Sequence, residues 1–308
     1  MSAETGPFHA GERAVQKRAG SAARMEVAGP RLIRDHMPDE HRELFGKLPY
    51  LVAGVADGSG QPWATLLTGV PGFVTTTART MQIAALPAAA DPARGALRPG
   101  VSVGILGIEL STRRRNRMNG LVRHLDDTGF ALDVVQSFGN CPKYIHLRNH
   151  RQAAAIGPAS FDPEGPRLSA EALALIARAD TFFIATTSGA QANGASSGTD
   201  VSHRGGAPGF VSASVAAEET VLTVPDYVGN GFFNTLGNLA LDPRAGLLFV
   251  DFEAGHLLQL SVRGRLDWAD EKAPTPAGTN RSLSFAVTGG HWLRNALALR
   301  WEPVDEGL

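Results

Sequence analysis

Pro71-Gly72-Phe73-Val74 returns unchanged as Pro208-Gly209-Phe210-Val211. Four residues alone could coincide, but the surroundings repeat as well. Ahead of the first copy the pattern predicts a helix over Pro38 to Leu48 and a strand over Tyr50 to Ala56. A turn at Asp57-Gly58-Ser59-Gly60 and a strand over Trp63 to Thr68 follow. Ahead of the second, Ser169 N-caps a predicted helix to Ala179, Thr181 to Thr187 is β-prone, and Ser188 to Gly194 reads as a turn. Ser197 to Ser202 is then a strand. Downstream, Gly120 follows Pro99 at the same spacing at which Gly264 follows Pro243. The apolar runs Val101 to Leu110 and Ala245 to Phe252 fall in corresponding places.

The chain of 308 residues is therefore expected to carry two similar units, 1–155 and 168–308, the first with an N-terminal extension. Ala153 to Arg167 is rich in alanine and proline without periodicity and reads as the linker; the two chain ends read as loose. Many short strands bounded by Gly, Pro or Asp, with few helices, predict a mainly β fold with small helices. The regular strand–helix alternation of a Rossmann sheet is missing.

Composition narrows the function. With 43% hydrophobic and 19% charged residues the chain is an ordinary globular one. A net charge of -1 provides no broad positive field, so nucleic acid and anionic membrane are not expected partners. The single cysteine, Cys141, cannot close an intramolecular disulfide or build a thiolate metal site. Together with the lack of a signal-like or membrane-length apolar run, that predicts a cytoplasmic protein. His146 and His150 stand four apart without further ligands, so no metal site is expected. A P-loop and a Gly-x-Ser-x-Gly elbow are missing, which removes the commonest phosphoryl- and acyl-transfer patterns.

The two copies diverge just before their Pro-Gly pairs. The first reads Ala64-Thr65-Leu66-Leu67-Thr68-Gly69-Val70, the second Asp200-Val201-Ser202-His203-Arg204-Gly205-Gly206-Ala207. A phosphate monoester carries roughly two charges and needs a fixed cation, hydroxyl donors and close backbone amides. Arg204, Ser202 and Gly205-Gly206 are candidates for these roles. Val224-Pro225-Asp226-Tyr227-Val228-Gly229-Asn230 then leads into a predicted helix, Gly231 to Leu241, whose free N–H groups would face the same anion. Asn234 and Asn238 share one face of that helix. In the first copy the equivalent Leu86 to Asp91 is mostly alanine, which predicts a degenerate site. Capping and solvent contact remain the ordinary alternative for these asparagines.

Thr199-Asp200-Val201-Ser202-His203-Arg204-Gly205-Gly206 with Pro208-Gly209-Phe210, and Pro225-Asp226-Tyr227-Val228-Gly229-Asn230, resemble the pyridoxamine 5'-phosphate oxidase-like flavoproteins. Gln136-Ser137-Phe138-Gly139-Asn140-Cys141-Pro142-Lys143-Tyr144-Ile145 and Arg113-Arg114-Arg115-Asn116-Arg117-Met118-Asn119-Gly120 resemble signatures of the same tandem-barrel branch. The resemblance implies two FMN-binding split β-barrels forming a pseudo-dimer in one chain. It implies FMN held by Ser202, His203, Arg204, Gly205, Gly206 and Asp226, with Asn230, Asn234 and Asn238 behind them and Gln136 and Ser137 reaching in from the other barrel. It further implies an FMN-dependent oxidoreductase acting on a small molecule, with electrons from a separate reductase and a homodimer as a further partner state. The phosphate-binding substrate site of true pyridoxamine 5'-phosphate oxidases is not recognisable here, so that activity is not implied.

Two rivals follow from the same residues. A haem-binding or haem-degrading barrel would need His203 or His256 as an axial ligand, and a flavin carrier or sensor would bind without turnover. A deazaflavin would suit the same phosphate groove. The run Arg113 to Arg117 reads first as a solvated strand edge. Its alternative is Arg115 or Arg117 in the cleft beside an acidic ligand. Cys141 reads as a structural thiol.

Overall fold

A computed structural model describes residues 6–153, 157–189, 196–269 and 280–304. Helices α1 (Ala10–Arg18), α2 (Ala22–Leu32) and α3 (Asp39–Lys47) come first. Strands β1 (Tyr50–Ala56), β2 (Pro62–Thr68), β3 (Val74–Thr76) and β4 (Thr80–Ile83) follow, then α4 (Pro92–Ala96), β5 (Ser102–Glu109), β6 (Arg114–Leu125) and β7 (Phe130–Gly139). β8 (Arg148–Gln152) and β9 (Ser160–Glu164) lead to α5 (Ala170–Arg178), β10 (Thr181–Thr187), β11 (Thr199–Gly205), β12 (Ser212–Val215) and β13 (Thr220–Pro225). Finally come α6 (Asn234–Leu241), β14 (Arg244–Asp251), β15 (His256–Trp268), β16 (Arg281–Arg294) and β17 (Leu299–Pro303).

The fold is mainly β, and its two large sheets repeat one topology. The first runs β2-β1-β5-β6-β7-β4-β3 and the second β11-β10-β14-β15-β16-β13-β12, every neighbour antiparallel. Alternation of buried and half-buried residues along β13 fits a sheet packed on one face, whereas β10 is buried throughout. Pro62 is accommodated because β2 is an edge strand.

Each half has its own core. Leu51, Ile105 and Phe130 are among the first, and Phe182, Phe249 and Phe285 among the second. A third core lies between them, where Val52 and Leu106 meet Phe183, Val201 and Leu248. Each such side chain contributes on the order of 2 kcal/mol by burial, so the halves are held as one body. The contact is reciprocal. A Cβ at Gly104 of β5 would stand 2.7 Å from the Thr199 carbonyl oxygen of β11, and one at Gly246 of β14 would stand 2.3 Å from the Pro62 carbonyl oxygen of β2. Both positions need glycine because a neighbouring backbone occupies the side-chain space.

Three expectations change. The stretch assigned to a linker contains β9, which pairs with β16 from Ser160↔Arg294 to Glu164↔Gly290. Its alternation is too short to register, and its partner lies far along the chain. β8, from the first expected unit, pairs with β17, so both lie across the expected boundary. The ends are ordered where described: Phe8 and His9 ahead of α1, Glu12 and Val15 in α1, Met25 in α2 and Trp301 in β17 are buried. Part of the turn assigned to Ser188 to Gly194 lies outside the described residues. Among the described residues no helix is long and apolar enough to cross a membrane.

Candidate functional site

The divergent motif carries the strand expected over Ser197 to Ser202 on to Gly205, and the chain turns only after it. Thr199 to Gly205 pairs residue for residue with β10, from Thr187↔Thr199 to Thr181↔Gly205. The expected helix begins three residues later than the sequence suggests. Gly231 and Phe233 both take left-handed backbone angles, φ 85° and 61°, which a helix cannot contain. No side chain caps α6, so the N–H groups of its first turn keep no partner from a cap.

β11, the start of α6 and the β6–β7 end of the first sheet enclose a cavity of about 720 Å³, within the usual range for a small-molecule site. Arg115 and Arg117 enter from the first half, and Ser202, His203, Arg204, Asn234 and Thr235 from the second. Arg117 Nη2 donates to Ser202 Oγ at 2.5 Å and Nη1 to Asn234 Oδ1 at 3.3 Å. Ser202 Oγ also pairs with Thr235 Oγ1 at 2.9 Å. Arg115 donates from Nε to the Cys141 carbonyl and from Nη1 to His203 Nδ1, both at 2.9 Å. Arg204 Nη1 and Arg281 Nε share the two oxygens of Asp226, each at 2.8 Å.

The charge is unbalanced. Among the described residues, Arg24, Arg115, Arg117, Lys143, Arg204 and Arg281 line the cavity against one acid, Asp226. Burial, then the neighbouring guanidinium, pushes Arg115 down to about 10. Burial likewise brings Arg117 to about 10 although Asp200 pulls it up. Both stay charged at neutral pH. His203 is depressed well below the usual histidine range, first by burial and then by Arg115. Arg117 Nε, Arg204 Nε and His203 Nε2 are buried without a hydrogen-bond partner, which is costly unless a ligand completes them.

The expected site residues separate into two groups. Ser202, His203, Arg204, Gly205, Asp226, Asn230 and Asn234 border the cavity. Gly205, however, leaves room for the Tyr144 carbonyl oxygen, which would stand 2.0 Å from a Cβ there. Asn230 caps its own loop by accepting from the Phe232 N–H at 3.0 Å. Gly206, Asn238, Gln136 and Ser137 are not in the cavity wall. The Gly206 N–H, expected to face an anion, donates to the Asp180 carbonyl at 3.0 Å. Asn238 bonds His9, Thr186 and Asp200. Gln136 donates to the Pro7 carbonyl, and Ser137 pairs with His41.

Sequence reasoning set aside the two arginines that matter most. Arg115 and Arg117 stand two apart on β6 and so share a face, a signal that period-two alternation carries. Glu12, which supports the wall through Asn234, carried no motif signal, and Asp200, inside the divergent motif, was given no role.

The equivalent place in the first half is filled. Thr65 stands six residues before its Pro-Gly-Phe-Val, as Ser202 does, and Gln259 stands sixteen after Pro243, as Arg115 does after Pro99. Thr65 donates to Asp91, and Gln259 Nε2 donates to the Ala64 carbonyl at 2.8 Å and to Asp91 at 3.2 Å. His291 Nε2 donates to Gln259 Oε1 at 2.7 Å, between the rings of Trp63 and Phe161 at 5.4 and 4.6 Å. A self-satisfied network around the Asp91 carboxyl and two aromatic rings thus occupy the position where three arginines meet in the second half.

No family model and no curated protein matches the chain. Among solved structures, a candidate pyridoxamine 5'-phosphate oxidase of Lactobacillus delbrueckii is 12% identical with a TM-score of 0.30, covering 41% of this chain and 93% of its own. HupZ of Group A Streptococcus is 12% identical, TM-score 0.27, over 39% and 93%. A Clostridium acetobutylicum protein related to general stress protein 26, of the pyridoxinephosphate oxidase family, is 14% identical, TM-score 0.27, over 44% and 94%.

Proposed function

We propose that the inter-half cavity binds one FMN per chain and that the protein is an FMN-dependent oxidoreductase acting on a small molecule. The observation that carries this reading is the convergence of Arg115, Arg117 and Arg204 on one cavity beside an uncapped helix start, with two of their Nε atoms buried and unpartnered. Buried positive charge without an anion is strongly disfavoured. A phosphate monoester, with roughly two negative charges and three acceptor oxygens, meets both the charge and the orphaned donors.

The rest of the wall suits the remainder of such a ligand. Ser202, Thr235 and Asn234 offer hydroxyl and amide groups for a ribityl chain. Phe210, Tyr227 and Val228 add apolar and aromatic surface for a planar ring. When bound, the flavin would supply the electron transfer itself. The protein's part is then to neutralise the phosphate, orient the ring and exclude water. No side chain in the wall is needed as a general base, and His203, held neutral and donating from Nε2, is unsuited to that role.

The same histidine argues against haem. An axial imidazole needs a free nitrogen lone pair, whereas Arg115 claims Nδ1 and leaves the proton on Nε2. His256 is outside the cavity wall and accepts the Asn295 N–H at 3.0 Å.

Catalysis is tested by anaerobic mixing of the flavin-loaded protein with NADH or NADPH, alone and with a flavin reductase, followed by oxygen. Bleaching and recovery of the flavin band over repeated cycles is expected. A flavin that no donor reduces would overturn the oxidoreductase reading and leave a carrier.

A further inference from the structure

Helix α1 belongs to neither sheet, yet its buried face is polar. His9, Glu12 and Gln16 are 1%, 2% and 3% exposed, and such groups are buried only when paired. Two glycines set how closely α1 meets α6. A Cβ on Gly11 would stand 2.2 Å from the Gly237 carbonyl oxygen, and one on Gly237 would stand 2.6 Å from the Glu12 nitrogen. Backbone therefore rests on backbone, and the Glu12 carboxyl reaches the first turn of α6.

There Glu12 Oε2 accepts the His9 N–H at 2.8 Å and Oε1 accepts from Asn234 Nδ2 at 2.5 Å. An amide has one donor end and one acceptor end. With its nitrogen engaged by Glu12, Asn234 must turn its oxygen the other way, where Arg117 Nη1 donates to it. A carboxyl on α1 thus sets an amide on α6, and that amide holds a guanidinium from β6 in the cavity wall. Burial, with Asp200 nearby, raises the Glu12 carboxyl well above its usual range, and Arg117 is a nearby opposite charge.

We propose that Glu12 is a positioning residue for ligand binding, acting through Asn234 to hold Arg117 toward the anion, so that a docked N-terminal helix and a filled cleft support one another. The proposal rests on the reading of the cavity as a phosphate site. It assigns the N-terminal segment to the binding machinery although none of its acids among the described residues lines the cavity.

The test is a double-mutant cycle of Glu12→Ala and Arg117→Gln, read as affinity for FMN and, separately, for inorganic pyrophosphate. Glu12→Ala alone is expected to weaken binding about tenfold. In the Arg117→Gln background it should change affinity by less than about twofold. Glu12→Gln keeps an acceptor for Asn234 but loses the His9 contact; it should lower thermal stability while retaining most of the affinity. If Glu12→Ala does not fold, Asn234→Ala breaks the relay from its other end and should show the same non-additivity. Equal losses in both backgrounds, or no loss in the first, would overturn the proposal while leaving the phosphate site standing. Wild-type protein that binds pyrophosphate but not FMN would overturn the flavin reading, and the cycle run on pyrophosphate would still decide the role of Glu12. Binding of neither would overturn both.

Discussion

Arg115 Nη1 lies 2.9 Å from Nδ1 of His203. A guanidinium can only donate, so the imidazole accepts at Nδ1 and carries its proton on Nε2, which is buried and unpartnered at the cavity. The charged and titratable neighbours, Arg115, His146, Arg204 and Arg117, all act to keep the ring neutral. His203 is on this account a fixed hydrogen-bond donor. His203→Gln, which retains a donor, is expected to stay within about threefold of wild-type FMN affinity, and His203→Leu to lose about tenfold. The pH dependence of wild-type affinity should follow only the second ionisation of the ligand phosphate, at about 6, and so keep the same profile in His203→Gln. Equal binding by the Leu variant, or an inflection that the Gln variant loses, would refute the assignment.

Arg204 both lines the cavity and bonds the protein. It shares Asp226 with Arg281, so truncation removes a cation from the cavity but leaves Asp226 paired. Arg204→Ala is expected to reduce FMN retention through gel filtration by about tenfold or more, with a stability loss on the order of 1 kcal/mol by urea unfolding. Full retention of flavin by the folded variant would count against the phosphate site.

The filled twin position predicts stoichiometry. Trp63, His291 and Phe161 stand where an equivalent second cavity would open, and Thr65, Asp91 and Gln259 satisfy one another there. Flavin titration of the stripped protein should saturate at one equivalent per chain. Two equivalents of similar affinity would contradict the asymmetry.

Acid should weaken the twin position. Burial holds His291 down to about 4, so the folded form resists a proton that the unfolded chain accepts near 6.5. The stabilising contribution is fully present above the unfolded value and is lost as pH falls from about 6.5 toward 4. Glu12 and Asp91, raised by burial, act in the opposite sense, so the informative quantity is a difference. His291→Gln should flatten the decline of unfolding free energy with acidification over that interval. An unchanged slope would show that His291 titrates normally.

Much of this arrangement could be read from the chain because repeats are local and countable. The recurrence of Pro-Gly-Phe-Val and the equal spacings of Pro99 to Gly120 and Pro243 to Gly264 pointed to the repeated topology, and the contrast of Ser202-His203-Arg204 with Thr65-Leu66-Leu67 singled out β11, which lines the cavity from the second half while β6 lines it from the first. What escaped depends on long-range partners. β9 finds its partner in the distant β16, and α1 packs where Gly11 and Gly237 let its backbone meet that of α6. The contribution of Gly205-Gly206 was misread because strand pairing and Asp180 claim that backbone. Arg115 and Arg117 were weighed as strand-edge charge, since nothing local shows that a second sheet buries them.

The central claim, an anion held among Arg115, Arg117 and Arg204, is tested most directly by isolating native protein and identifying what is released on denaturation, by absorption and mass, with its molar ratio to protein. The account predicts a yellow protein releasing FMN at close to one per chain. A colourless protein that takes up no flavin on reconstitution, or one that releases haem, would contradict it.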